Sequence, residues 1–363
     1  MKLKIASVAG FSSVALLISQ PASAVVSVTA VTTTNVNTGN TTTRTGITDV
    51  NGLNPLTVNY NGIQTQINTL TAGGSTFIPT TSGTVAVRRN TSGTVTFPTS
   101  NANQTSAWNA VVSGGATTNH TVSGVYLNTM EGLFASRNIN TGTENLFVNT
   151  SDASNVSSNV ERMDFIFANG FLASTATAFS VFERGRGSGG AGGANGGFKI
   201  AAITGLDAFG VPNAFGATVV SVADDSYNNS GLGIGVTPVN YDVFRYATAT
   251  GPQLDAYNNA NIGPQGVAGA LIRTTELVTA GTQIFGYAVF GEDVTATGNN
   301  LVNFNNNTFF PNNSGFANDV DLVATGAVVY SLAVPEVSSV WVLGTVFSSL
   351  FLLTRRRPVA IVG

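Results

Sequence analysis

The chain offers few residues able to do chemistry: one histidine and no cysteine in 363 residues. The absence of cysteine excludes a thiolate nucleophile, a disulfide framework and a cysteine metal site. A single histidine excludes a histidine-rich zinc site. That residue, His120, lies in the polar stretch TTNHTVSG and reads as a solvated loop histidine. A Ser-His-Asp triad would have to use it, and no G-x-S-x-G elbow accompanies it. Gly185–Gly190, GRGSGG, matches G-x-G-x-x-G behind an expected strand. Nucleotide binding needs a helix to start at such a loop, because the helix N-terminus holds the pyrophosphate. Here AGGANGG and the strand-like FKIAAI follow, so the stretch reads as a glycine-rich hairpin loop.

Carboxylates are the remaining polar candidates. Glu161 and Asp164 lie three apart in one expected strand and therefore point to opposite faces. Glu183, on an expected neighbouring strand, could partner either one. A glycosidase needs two carboxyls about 5–10 Å apart in a cleft. The plainer expectation is cross-strand pairing among Glu161, Arg162, Glu183 and Arg184. Asp319 and Asp321 share a strand face and are the candidate ligands of a structural calcium, with no other cofactor expected. Asp224-Asp225 and Glu292-Asp293 fall in expected loops, and no D-x-D-x-D-G loop is present. Trp108, Tyr227, Tyr241 and Tyr257 could form a sugar-binding face, although core packing is the ordinary fate of aromatics. No residue is assigned a catalytic role, and the chain reads as a non-enzyme.

These residues must be positioned by strands. Between about 126 and 332 stand nine candidates: ENLFVN, VERMDFIF, AFSVFER, FKIAAI, ATVVSV, YDVFRY, ALIRTTEL, QIFGYAVF and VDLVATGAVVYSL. Asn, Gly, Asp and Pro clusters separate them. In YDVFRY, Tyr241, Val243 and Arg245 share one face and Asp242, Phe244 and Tyr246 the other. Gln283–Phe290 is apolar on both faces, as a central strand would be. Residues 25–125 are rich in Thr, Asn, Ser, Gly and Val, and Thr81-Ser-Gly-Thr-Val85 recurs at Thr91–Val95. They read as a β-rich low-complexity stalk or small β region. The fold class expected is all-β: a jelly-roll-like antiparallel sandwich over 126–332 behind that stalk, followed by one C-terminal transmembrane helix.

The two ends read as addresses. Residues 1–24 have a basic start at Lys2 and Lys4, an uncharged run from Ile5 to Ile18, and the cleavage pattern Ala22-Ser23-Ala24. These are the ordered parts of a secretory signal, with the mature chain beginning at Val25. Residues 333–363 form the tail. Val337–Thr354 is an uncharged run of 18 residues, about 27 Å long as a helix and just enough for a bilayer core. Arg355, Arg356 and Arg357 follow directly and act as a cytoplasmic anchor, with the body on the far side.

Val334-Pro335-Glu336, the Ser338-Ser339 pair, the short span and the arginines together resemble the PEP-CTERM sorting signal of Gram-negative bacteria. Val337 stands where that family usually has a second proline. The resemblance implies a partner, an exosortase-like membrane protease that reads the Pro-Glu element and removes the tail. It also implies delivery of the body to the cell surface or an exopolysaccharide matrix. The same tail occurs on proteins described as ice-binding. Removing both ends takes five of 15 basic residues and one of 18 acidic ones, leaving a body of net charge −7. That balance argues against nucleic acid as a partner. The expected function is that of an exported surface or matrix protein contacting polysaccharide. A carbohydrate-active hydrolase using Glu183 and an ice-binding surface built from Thr-rich strands are the alternatives.

Overall fold

The structure is a computed structural model that describes residues 25–49, 55–90, 106–114, 119–127, 129–144, 146–147, 160–184, 197–223, 236–237, 239–246, 254–311 and 320–333. Outside these lie the expected signal with Ala22 and Ala24 and the sorting residues Val334, Pro335 and Glu336. So do the span 337–354, the arginines 355–357, Asp319, the second TSGTV copy and most of the glycine loop. Among the described residues no helix is long and apolar enough to cross a membrane.

Eighteen strands and two short helices are described. The first strands are β1 (Val26–Asn37), β2 (Thr42–Asp49), β3 (Pro55–Tyr60), β4 (Ile63–Ala72), β5 (Ser75–Ser82) and β6 (Thr84–Arg89). Next come β7 (Ser106–Gly114), β8 (Asn119–Val122), α1 (Met130–Ala135), β9 (Thr141–Glu144), β10 (Val160–Leu172) and β11 (Thr177–Arg184). The remainder are β12 (Phe198–Leu206), β13 (Pro212–Val222), β14 (Val239–Tyr246), β15 (Leu254–Gln265), β16 (Val267–Arg273), α2 (Thr274–Leu277), β17 (Gln283–Gly291) and β18 (Val328–Leu332). Their Thr, Val, Ile and Phe content explains the choice: branched and aromatic side chains fit extended, half-buried backbone.

The fold is all-β and almost wholly antiparallel, and among the described residues parallel ladders join only β15 to β2 and β3 to β8. The expected jelly-roll-like sandwich takes a different form. Six strands close a barrel in the order β1-β16-β11-β18-β5-β4. A five-stranded sheet, β13-β12-β17-β10-β6, packs on it. A third sheet runs β14-β15-β2-β3-β8-β7-β9, and an extra β14–β7 ladder joins six of its members into a second closed ring. The reason is that the Thr-rich segment is not set apart from the rest. β1, β4 and β5 supply half of the first barrel and β6 edges the five-stranded sheet, so the composition change near residue 125 is no boundary in the sheets.

Gly83 lets the chain pass from barrel to sheet. A Cβ there would stand 2.1 Å from the Ile166 carbonyl oxygen, so only glycine fits between β5 and β6. The first TSGTV copy is therefore a crossing between sheets, not a hairpin. β17 is central in its sheet and buried on both faces. Tyr287 and Val289 face the barrel, while Ala288 and Phe290 face a lid formed by Val294, Ala296, Leu301 and Phe310. Across the interface Phe179 of β11 sits 4.2 Å from Tyr287 and 6.3 Å from Phe167, ring centre to ring centre. The barrel interior is filled by Val28, Leu70, Phe77, Phe182, Leu271 and Tyr330. Of the described residues of ENLFVN, Glu144 ends β9 and Leu146 and Phe147 lie in a turn, and ALIRTTEL divides into β16 and α2.

Candidate functional site

The ionisable groups gather at one end of the sheets. There β6, β10, β11, β12 and β17 begin or finish, as the pairings Arg89 with Val160, Phe198 with Gly291 and Arg184 with Val267 require. Arg88, Arg89, Glu161, Arg162, Asp164, Glu183, Arg184, Lys199, Glu292, Asp293 and Asp321 all belong to these strand ends or the residues beside them. Glu161, Arg162, Asp164, Glu183 and Arg184 are buried and the others half-buried, and a buried charge in a low-dielectric interior demands partners.

The first partnership centres on Asp164. Arg162 stands two residues away on the same strand face and grips the carboxylate with two bonds, Nε to Oδ1 at 2.6 Å and Nη2 to Oδ2 at 3.0 Å. Arg88, from the adjacent β6, donates its Nε to Oδ2 at 2.6 Å. The Arg162 Nη1 donates to the Leu301 carbonyl, and its guanidinium lies 4.7 Å from the Phe215 ring centre. A carboxylate clamped between two guanidinium groups has its oxygens committed to charge-assisted hydrogen bonds.

The second partnership centres on Arg184. Its Nη2 donates to Asp321 Oδ2 at 2.8 Å and its Nη1 to Gln265 Oε1 at 3.1 Å. The guanidinium lies over Tyr241, 3.6 Å from the ring centre, and 4.8 Å from that of Trp108. The expected cross-strand arrangement of Glu161, Arg162, Glu183 and Arg184 is corrected by the sheet order. β10 and β11 belong to different sheets, so their charged residues are not cross-strand neighbours, and each arginine finds an aspartate elsewhere. β10 alternates from Arg162 on, with Met163 and Phe165 on one face and Arg162 and Asp164 on the other, whereas a register shift between Val160 and Arg162 breaks the alternation expected at Glu161. Asp321, a calcium candidate, is the counter-ion of Arg184, and among the described residues no group of three or more His, Asp and Glu could hold a metal. Trp108 and Tyr241 line the core against this arginine and are not a surface sugar platform.

The third partnership corrects the reading of His120. It is not a solvated loop residue. It sits on β8, 3 % exposed, with Nδ1 2.5 Å from Asp242 Oδ2, and Asp242 is wholly buried. Register places both inside the second ring, since Val58 pairs with His120 and Asp242 with Asn109. Tyr241 and Asp242 thus serve two sites from opposite faces of one strand: Tyr241 meets Arg184, and Asp242 meets His120. The histidine is too enclosed to meet a substrate without opening the ring. Sequence reasoning missed the pair because 122 residues separate its members. The available signal was a carboxylate within the aromatic strand YDVFRY, which demands a buried partner.

Glu292, in the turn after β17, has its carboxyl raised above the ordinary carboxylate range by burial, against the pull of Lys199. Lys199 itself donates to the Val294 carbonyl at 2.7 Å.

The outer wall of the first barrel has the opposite character. Thr29, Thr32, Thr34 and Asn68 are exposed there, beside Thr69 and Thr71, while Asn35 and Thr65 share the opposite face with Ile67. Thr32 Oγ1 and Thr69 Oγ1 are 2.7 Å apart, and Asn68 donates to Thr34. Bulges between Val28 and Ala30 and between Thr32 and Thr33 interrupt the spacing, and barrel closure curves the wall. The result is a hydroxyl and amide surface without the flat, even ladder expected of an ice-binding face. No family model matches the chain, and neither a curated protein nor a solved structure is significantly similar to it.

Proposed function

We propose that the chain is an exported, non-enzymatic surface or matrix protein whose body contacts extracellular polysaccharide. In this reading residues 1–24 direct export and the helix Val337–Thr354 with its three arginines holds the body on the far side of the membrane. An exosortase-like protease reads Val334-Pro335-Glu336 and releases the body to the surface. The observation that carries the binding part is the exposed wall of Thr29, Thr32, Thr34, Asn68, Thr69 and Thr71 on β1 and β4, an array of donors and acceptors with no charge in it. Polysaccharide hydroxyls are recognised by such groups and compete with water for them.

The hydrolase alternative is weaker. Glu183 is buried, and Asp164 and Asp321 are held by arginines. The ice-binding alternative is opposed by the bulges and curvature of the wall. A test of binding is co-sedimentation with acidic and neutral exopolysaccharides, comparing the natural protein with a variant carrying Thr32→Val, Thr69→Val and Thr71→Val. Lost retention in the variant, with unchanged circular dichroism, supports the reading. No retention of any polysaccharide by the natural protein overturns it. Sorting is tested separately by mass spectrometry of the mature C-terminus: a protein ending at Gly363 in the inner membrane refutes tail removal.

A further inference from the structure

The end of the body opposite the charged cluster has a different chemistry, and the chain leaves from it. Leu172 closes β10 there and pairs with Gln283, while four residues lead on to Thr177, which pairs with Ser331 of β18. Leu332 pairs with Phe77, and the Ala333 amide donates to the Thr76 carbonyl at 2.8 Å. Val26 pairs with Leu271, so Val25, the expected first mature residue, lies at this end too. The turn between β12 and β13 reaches the same level, because Ile203 pairs with Gly286 three residues before that end of β17.

That turn presents Phe209 at 91 % exposure, with Val211 at 38 %, and Leu172 nearby along the sheet end at 62 %. Phe209 is not a loose side chain on a loose loop. Asp207 Oδ1 accepts from the amides of Phe209 and Val211 at 2.9 and 2.8 Å. The Asp207 amide donates to the Val211 carbonyl at 2.9 Å, and Gly210 takes φ +77°, which glycine adopts without strain. Among the described residues the ionisable groups of these turns are Asp207, Arg273 and Glu276. Asp207 Oδ1 is engaged with turn amides, and Arg273 Nη1 donates to the Thr175 carbonyl.

We propose that this end is a lipid-contacting surface, seating Phe209, Val211 and Leu172 at the headgroup boundary of the bilayer that holds the C-terminal run. The proposal rests on the membrane-anchor reading above and applies while the tail is in place. Chain length supplies the occupant. Only Val334, Pro335 and Glu336 separate Ala333 from the apolar run that begins at Val337. Four extended residue steps reach about 14 Å at most, and the headgroup layer of one leaflet is itself about 5–8 Å thick. The tail-bearing end is therefore held against the bilayer, and its fixed apolar side chains meet the region where such groups bury.

The test exploits the absence of cysteine from the chain. Phe209→Cys and Leu172→Cys, and Ser221→Cys at the charged end as reference, are spin-labelled in the full chain. The proteins are reconstituted into vesicles of phosphatidylethanolamine and phosphatidylglycerol. Alkaline extraction reports anchoring, and accessibility to oxygen against a water-soluble nickel chelate reports depth. Labels at 209 and 172 should lie about 5–10 Å below the phosphates, with the label at 221 in water. A chain that survives extraction while its 209 label stays as wet as the one at 221 overturns this proposal and leaves the anchor reading intact. Shielding at 209 that occurs without vesicles and grows with protein concentration means a second copy is the occupant, and also overturns it. Loss of the chain on extraction defeats the anchor reading and this proposal together.

Discussion

Replacing Asp164 by Asn tests whether the buried ion clusters hold the fold. Asp164 is fully buried and accepts three bonds from two guanidinium groups. The amide keeps the shape, removes the charge and points hydrogen-bond donors at donors. Arg162, 1 % exposed, is then left as an uncompensated buried cation. Breaking a buried pair in this way costs about 3–5 kcal/mol, a large share of a total stability of about 5–15 kcal/mol. Arg88 is less enclosed, with its side chain 19 % exposed, so Arg88→Ala should cost closer to about 1 kcal/mol. Urea unfolding followed by fluorescence of the buried Trp108 measures both. Replacing Arg88, Arg162 and Asp164 together by Met, Met and Leu should recover most of the loss, because no charge then needs a partner. An Asp164→Asn midpoint within about 0.5 kcal/mol of the natural protein would refute the reasoning. A triple variant as unstable as the single one would show that the cost is packing and not charge.

Other outcomes are expected. The Tyr330 phenol is pushed up to about 12 by burial, and Tyr287 is raised further by burial. The unfolded chain releases these protons first, so stability should be intact below about pH 10 and fall above it by up to about 1.4 kcal/mol per pH unit per tyrosine. Urea midpoints at rising pH should show a shallower fall in Tyr330→Phe, and an unchanged slope would count against the assignment. Gly286→Ala should abolish soluble expression, because φ is +146° and a Cβ would stand 1.9 Å from the Phe165 carbonyl oxygen. Gly263→Ala, with nothing within 4 Å, should express normally. Asp242→Asn and His120→Ala should each lower stability by about 1–3 kcal/mol, and the double variant should cost less than their sum, as measured by a thermodynamic cycle.

Strand identity was legible where local chemistry decides it. VERMDFIF, AFSVFER, FKIAAI and QIFGYAVF each form most of a strand, and the two apolar faces of Gln283–Phe290 correctly mark a central one. The partners of the strands were not legible. β1 lies beside β16 and β5 beside β18, pairings that span more than two hundred residues and leave no local trace. A threonine-rich strand with one buried face, such as β1 with Val28 and Val31 inside, has the composition of a stalk. The ion clusters failed for the same reason. Arg162, Arg184 and His120 were visible, but Asp321 and Asp242 reach their partners only after sheets from different parts of the chain close. ALIRTTEL misled because Thr274 and Thr275 favour strands, yet β16 ends at Arg273 and the next residues must turn away from the barrel rim.

A chain that is only 9 % charged buries five charged residues, Glu161, Arg162, Asp164, Glu183 and Arg184, at one end of its sheets. This choice has a physical consequence for the surface. Solubility must then rest on hydroxyls and amides, which hydrate without long-range repulsion or attraction. Such a surface neither steers charged ligands nor responds strongly to salt. The buried pairs contribute little net stability compared with an apolar core, but each one penalises any register that would leave an arginine or aspartate alone. In long Thr- and Val-rich strands such as β1 and β4, a one-residue slip would flip every side chain to the other face. Local chemistry discriminates weakly against that slip where Thr and Asn stand on successive positions of both faces. Fixed points elsewhere are therefore needed. Asp164 fixes β10 against β6, and Arg184 fixes β11 against the Asp321–Leu322 segment. Asp242 fixes β14 across the second ring to β8. Among the described residues each sheet system thus contains such a fixed point, and this distribution is what a register function requires.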